Sequence, residues 1–216
     1  MDLINATCQT IVMVAISLVG AYVFGIPLGV ILVGTRKEGI FPNRFWNAIL
    51  GWIVNTIRSI PFIILLVALI PVTRFLLGTG IGMAAVILPL IVACVPFVAR
   101  MVETSLLEID KGMIDAAVAM GASKLQIFFN IYLPESIPSL VRGAAITCIA
   151  LIGYTAMAGM VDGGGLGQYA IYKGYYQYQY DQVIYTVIIL VVLVEIIQLG
   201  FISLAKRLDK KRGNIK

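Results

Sequence analysis

The sequence predicts an all-α membrane protein with five transmembrane helices, its N-terminus out and its C-terminus in. The composition is the first reason: the chain is 60% hydrophobic and 12% charged, with a mean hydropathy of +0.98, outside the range of soluble domains. The second is the set of apolar stretches near the roughly 20 residues needed to cross a bilayer. They run at about Cys8 to Val33, Ala48 to Ile70, Ile81 to Val98, Ile137 to Met160 and Val183 to Leu204. The third is the placement of the basic residues. No Lys or Arg precedes the first stretch, whereas Arg36, Lys37 and Arg44 follow it, and Lys206, Arg207, Lys210, Lys211, Arg212 and Lys216 follow the last. By the positive-inside rule these flanks, and Lys111 and Lys124 between the third and fourth stretches, face the cytoplasm. Only Arg74 and Lys173 fall to the outer loops.

The composition also excludes chemistry. There are no histidines, so Ser-His and Cys-His catalysis and His-ligated metal sites are absent, and the scattered acids form no carboxylate metal site. Cys8, Cys94 and Cys148 lie in or at the edge of apolar stretches and read as packing residues. The net charge of +5 belongs to the cytoplasmic flanks, with no module for reading nucleic acid beside it. The missing basic n-region argues against a cleaved signal peptide. The residues give one transmembrane domain over 1–216, with any ATP-hydrolysing or ligand-capturing machinery on other chains.

In the first span Gly20, Gly25, Pro27 and Gly29 favour close packing and a bend near Pro27. The connection after it carries Phe41, Phe45, Trp46 and Trp52, spaced for an interfacial helix. In the second span, Asn55 to Phe62 sets Arg58 about ten residues into the membrane, followed by Ser59 and Pro61. Such a cation demands a partner. Arg58 either holds a bent helix at a translocation path or snorkels to the headgroups. Pro89 and Pro96 free backbone carbonyls in the third span, which fits a helix lining a cavity or packing on protein. Breaks in these two middle spans imply a path between them.

Between the third and fourth spans lies a polar insert, residues 101–137. Residues from about Ile109 to Met120 favour a helix, and Gly121 sits where the chain needs a left-handed residue to stop it. Ser123 is placed to cap a second short helix to about Tyr132, and Leu133-Pro134 biases the chain out of helix. Asp115, Ala116, Ala117, Met120 and Ala122 then form a small, apolar exposed face. It reads as a knob for docking in a groove, or as an amphipathic loop on lipid headgroups.

The fourth span ends in small residues interrupted by Tyr154 and Met157, which are three apart and share a face. They are candidates for a gate or solute contact, or for ordinary packing. The glycine-rich run Asp162 to Gly167 lacks the Lys-Ser/Thr of a phosphate loop and reads as flexible, and Tyr169 to Tyr180 reads as an outer-surface segment able to meet a docking protein. In the fifth span Glu195 lies at a depth similar to that of Arg58 and is its candidate partner. A proton-coupled carrier would use such an acid, but here it has no relay partners and no inverted repeat around it.

The spacing Asp115-Ala116-Ala117, Gly121, then Ile131-Tyr132-Leu133-Pro134 resembles the EAA loop of ABC importer membrane subunits, with Asp115 in place of the usual Glu. Together with Asn55 to Arg74, Pro96 to Glu103 and Gly153 to Gly167, most of the chain resembles the permease subunit of methionine ABC importers. The resemblance implies a type I importer permease core working as a homodimer in the bacterial cell membrane. Each copy would dock one of two cytoplasmic ATPase subunits through Asp115, Ala116, Ala117, Gly121, Ile131, Leu133 and Pro134. Tyr154, Met157, Arg58, Ser59 and Pro61 would border the path, and an extracytoplasmic methionine-binding (lipo)protein would deliver D- or L-methionine. The permease would catalyse nothing and hold no cofactor, ATP and Mg being bound by the ATPase. A permease for another amino acid, an ion-coupled secondary carrier and a purely structural anchor are the alternatives.

Overall fold

Long apolar segments with few internal polar groups satisfy their backbone hydrogen bonds within themselves, so helices are what this sequence can place in a bilayer. The computed structural model describes residues 2–37, 39 and 41–213, and every element in it is helical. Of the basic tail, Lys216 and the side chains of Lys210, Lys211 and Arg212 lie outside the described residues. Four helices are long and apolar enough to cross a membrane, and a bent pair supplies a fifth, broken span.

Helix α1 (Leu3–Gly34) runs the length of the bundle without interruption at Pro27. It packs along α4 (Met83–Leu107), and the small residues of α1 set how closely. A Cβ on Gly25 would fall 2.7 Å from the Val98 side chain, and one on Gly29 would fall 2.6 Å from the Ala99 carbonyl oxygen. Such approach is how membrane helices associate when burial from water gives no drive between them. Met13, Val14 and Ala21 of α1 join Leu90, Cys94, Val98 and Val102 of α4 in one buried cluster. Cys148, Leu151 and Ile152 of α7 (Leu133–Ala158) complete it. Helix α4 is the hub, packed against α1, α7 and both helices of the bent pair.

The expected second span is not one helix. Helices α2 (Arg44–Ser59) and α3 (Phe62–Leu77) meet at Ile60-Pro61 with a bend of 106°. Proline disfavours the helical conformation in the residue before it, and Ile60 is extended, with φ −81° and ψ 123°. The start of α2 is tied to the end of α1, where the Asn47 side-chain amide donates to the Leu32 carbonyl at 2.7 Å and to Thr35 Oγ1 at 3.0 Å. Its outer face shows Phe45, Trp46 and Trp52, as an interfacial helix would. The third span, by contrast, is unbroken. Pro89 and Pro96 lie buried within a continuous α4, where neighbouring helices cover what the prolines expose.

At the far end of α7 the glycine-rich run is packed, not flexible. Residues 163–167 are buried, and α8 (Gly165–Tyr169) begins against α1. The Gly165 amide donates to Gln9 Oε1 at 2.9 Å and the Leu166 amide to Thr10 Oγ1 at 2.8 Å. A π-helical turn (Ala170–Tyr176) leads on to α9 (Tyr180–Gly213), which packs on α7 and on that turn. Tyr172, Tyr175, Tyr176, Tyr178 and Tyr180 are exposed there, while Tyr169 is buried.

Candidate functional site

The insert after α4 forms two short helices and a tight bend. Asp110 caps α5 (Lys111–Ala119), its carboxylate accepting from the Gly112 amide at 2.8 Å. Gly121 turns the chain at φ +81°, in the left-handed region that side chains with a Cβ occupy at a cost. Its amide donates to the Val118 carbonyl at 2.9 Å, and the Ala122 amide donates to Ala117 at 3.0 Å. Ser123 and Gln126 then form a reciprocal capping box at the start of α6 (Lys124–Ile127). The Ser123 amide donates to Gln126 Oε1 at 2.8 Å, and the Gln126 amide to Ser123 Oγ at 3.3 Å. Two free helix ends are thereby satisfied within six residues.

The face this bend presents is Asp115, Ala116, Val118, Met120 and Leu125, all exposed, with Met120 82% accessible. Ala117, expected on that face, is buried, and Ala122 is half-buried. Ala117 instead anchors the turn through its carbonyl. Ile131, Leu133 and Pro134 are half-buried at the root of the knob rather than on its tip.

Pro134 does not end a helix. A π-helical turn (Phe128–Tyr132) joins α6 to α7, with Pro134 in the first turn of α7. A wider turn leaves room for the proline ring, and near a helix start the missing amide costs little. The result is a helical path from Lys124 to Val161, 38 residues long.

Further along that path, Tyr154 stacks on Phe62, ring centroids 4.5 Å apart and planes 12° from parallel. They border a cavity of about 160 Å³ lined by Ile57, Arg58, Ile60, Leu65, Ala93 and Phe97 as well. This space lies at the Ile60-Pro61 bend, between the end of α2, the start of α3, α4 and α7. Arg58 leans over Phe97, its guanidinium carbon 6.0 Å from the ring centre. Ser59 and Pro61 are exposed at the break, the Ser59 hydroxyl donating to the Asn55 carbonyl at 2.9 Å. Met157 is exposed and lies outside the cavity lining, so the structure joins Tyr154 to Arg58 and not to Met157.

The expected pair between Arg58 and Glu195 does not form. The ion pairs of the structure include Arg36–Glu103, Arg100–Glu103 and Arg142–Asp209, and none of these involves Arg58 or Glu195. Glu195 is exposed on α9, and α9 packs chiefly on α7 rather than on the element that carries Arg58.

The Glu103 cluster was not anticipated. Arg36, just beyond α1, reaches Glu103 at 2.8 Å, and Arg100 holds the other carboxylate oxygen. Arg100 also donates to the Gly51 carbonyl at 3.2 Å and to Asn55 Oδ1 at 3.0 Å, which ties α2 to the same group. The i,i+3 spacing of Arg100 and Glu103 at the end of an apolar run was the available signal. No group of His, Cys, Asp or Glu able to hold a metal occurs among the described residues.

Residues 25–214 match the family described as binding-protein-dependent transport system inner membrane component. The chain is 47% identical over 209 residues to the probable D-methionine transport system permease protein MetI of Vibrio cholerae, covering 97% of this chain and 93% of that one. It is 45% identical to the protein of the same description from Pasteurella multocida, with 95% of each covered. An inward-facing crystal structure of the MetNI methionine ABC transporter contains a chain that superimposes with a TM-score of 0.92 at 44% identity, over 95% of both chains.

Proposed function

We propose, from the premise that this chain belongs to the family of binding-protein-dependent transport system inner membrane components, that it forms the translocation path for methionine, as the D- or L-enantiomer or both. It is a permease component of an ABC importer and a multi-pass protein of the bacterial inner membrane. Similar chains carry the D-methionine description, and this supports the choice of solute. The permease makes and breaks no covalent bonds. ATP and Mg belong to the partner ATPase, and a binding protein outside the membrane delivers the solute.

The observation that carries the mechanism is the continuous helical path from the root of the knob to the cavity. From Pro134 to Tyr154 is 20 residues of one helix, roughly 30 Å at 1.5 Å per residue, so a displacement of the knob is felt at the Phe62–Tyr154 stack. In this reading residues 101–137 are the coupling segment of a single permease domain. Asp115, Ala116, Val118 and Met120 enter a groove on the ATPase, while Gly121 and the capping box fix the knob's shape. Ala117, Ile131, Leu133 and Pro134 set its root. Two copies of the chain, N-termini outside, dock two ATPase subunits. ATP-driven closure of the ATPases brings the knobs together and opens the path outward, and hydrolysis returns it inward.

Arg58, Ser59, Pro61 and Tyr154 border the path at the α2–α3 break, with Met157 one turn further along α7. The test is uptake of labelled methionine into proteoliposomes holding this chain, its ATPase and its binding protein. Uptake that requires ATP and the ATPase is expected. Uptake without ATP, driven by an ion gradient, would overturn the mechanism.

A further inference from the structure

We infer that the Arg58 guanidinium reads the α-carboxylate of the amino acid in transit, with Phe62, Phe97 and Tyr154 receiving its apolar side chain. This inference rests on the importer reading above and goes beyond it by naming the group that selects the solute's chemistry. Arg58 stands in the last turn of α2, where the helix dipole favours a cation. Beyond it the 106° break directs the chain away, so the guanidinium borders an open cavity rather than the next helical turn.

The surroundings are otherwise uncharged. Every other lining residue is aliphatic or aromatic: Ile57, Ile60, Phe62, Leu65, Ala93, Phe97 and Tyr154. Arg58 is exposed and takes part in none of the ion pairs given above; its guanidinium leans over the Phe97 ring and acts electrostatically on Tyr154. An exposed cation at the mouth of an apolar cavity within a membrane span is free to take up an anion, and guanidinium matches a carboxylate in two parallel hydrogen bonds. One charged group at the edge of aromatic walls is the arrangement of an amphipathic small-molecule site. Here it suits a free amino acid whose side chain packs on rings. A thioether meets those rings favourably.

The test compares a free amino acid with its carboxamide, which keeps the side chain and removes the anion. Equilibrium binding of labelled methionine and labelled methioninamide is measured on the detergent-purified permease–ATPase complex without the binding protein, whose own selectivity is thereby excluded. Should the complex bind no methionine, the amino acid it does import takes its place, again as acid and amide. The wild type is expected to favour the acid about tenfold or more, as charge-assisted hydrogen bonds allow. Arg58→Gln should abolish that preference by weakening the acid alone, and Arg58→Lys should keep part of it. Co-purification of the ATPase reports that each variant is assembled. An Arg58→Gln loss that falls equally on acid and amide would assign the guanidinium to lipid phosphate or to structure and overturn the inference. So would an unchanged acid-to-amide ratio, even with methionine uptake intact, or an Arg58→Lys variant that has lost the preference entirely while still assembled.

Discussion

Replacing Glu103 by Gln should destabilise the permease by about 3 kcal/mol, because one buried carboxylate compensates two guanidinium groups on different elements. The Glu103 side chain is 6% exposed, that of Arg100 25% and that of Arg36 45%. Breaking a buried pair costs about 3–5 kcal/mol by stranding its partner. The lower end applies here, since water reaches Arg36 and screens its share. Arg100 carries most of the penalty: its Nε is already buried without a partner, and its remaining bonds to Gly51 and Asn55 are to neutral oxygens. For a chain of 216 residues about 3 kcal/mol corresponds to a midpoint lower by about 6–12 °C. Arg36→Gln, removing the more exposed partner, should cost about 1 kcal/mol or less. Thermal unfolding of the purified protein in detergent measures both. A Glu103→Gln midpoint within about 2 °C of wild type, or equal losses for the two variants, would refute the account of Glu103 as the buried anchor.

Gly121→Pro should abolish ATPase co-purification while leaving membrane yield intact, because proline can neither adopt φ +81° nor donate to Val118; normal retention of the ATPase with normal uptake would sink the docking knob. Gly25→Leu should prevent the α1–α4 approach and lower the yield of folded protein, since even a Cβ meets Val98 at 2.7 Å, and folded yield in detergent checks it. Tyr154→Ala, which loses the stack on Phe62, should slow uptake and destabilise by about 2 kcal/mol, whereas Met157→Ala, exposed and outside the cavity lining, should shift stability by no more than about 0.5 kcal/mol. Uptake rates and unfolding midpoints measured together distinguish the two.

Much of the knob was legible because its determinants are local. A left-handed glycine at Gly121 and a helix cap at Ser123 act over three or four residues, and both occur as expected, although the reciprocal bond from Gln126 was not anticipated. The burial of Ala117 was not legible, since spacing places a residue on a face but does not say whether the adjoining turn folds back over that face. The Arg58–Glu195 pair failed for a related reason. Equal depth in two spans says nothing about which spans are neighbours, and the bend at Ile60-Pro61 removed Arg58 from the straight helix that the depth argument assumed. The glycine run at 163–167 was misjudged as flexible because its partners, Gln9 and Thr10, lie more than 150 residues away in sequence.

The prolines show where local rules stop. Pro61 breaks the chain by 106°, whereas Pro89, Pro96 and Pro134 do not interrupt the helical path. Packing and local helix geometry account for the last three. Pro89 and Pro96 are buried in the hub helix, where packing from both sides resists a kink that would open the α1–α4 seam. Pro134 sits after a π-helical turn whose wider geometry accommodates the ring. Exposure alone does not decide the outcome, since Pro27 and Pro71 are exposed within continuous helices; at Pro61 the preceding residue, Ile60, has left the helical conformation and the chain turns. In the proposed mechanism, coupling would run through the continuous helix that begins at Pro134, and selectivity would be exercised in the space beside the break at Pro61, where Arg58 stands.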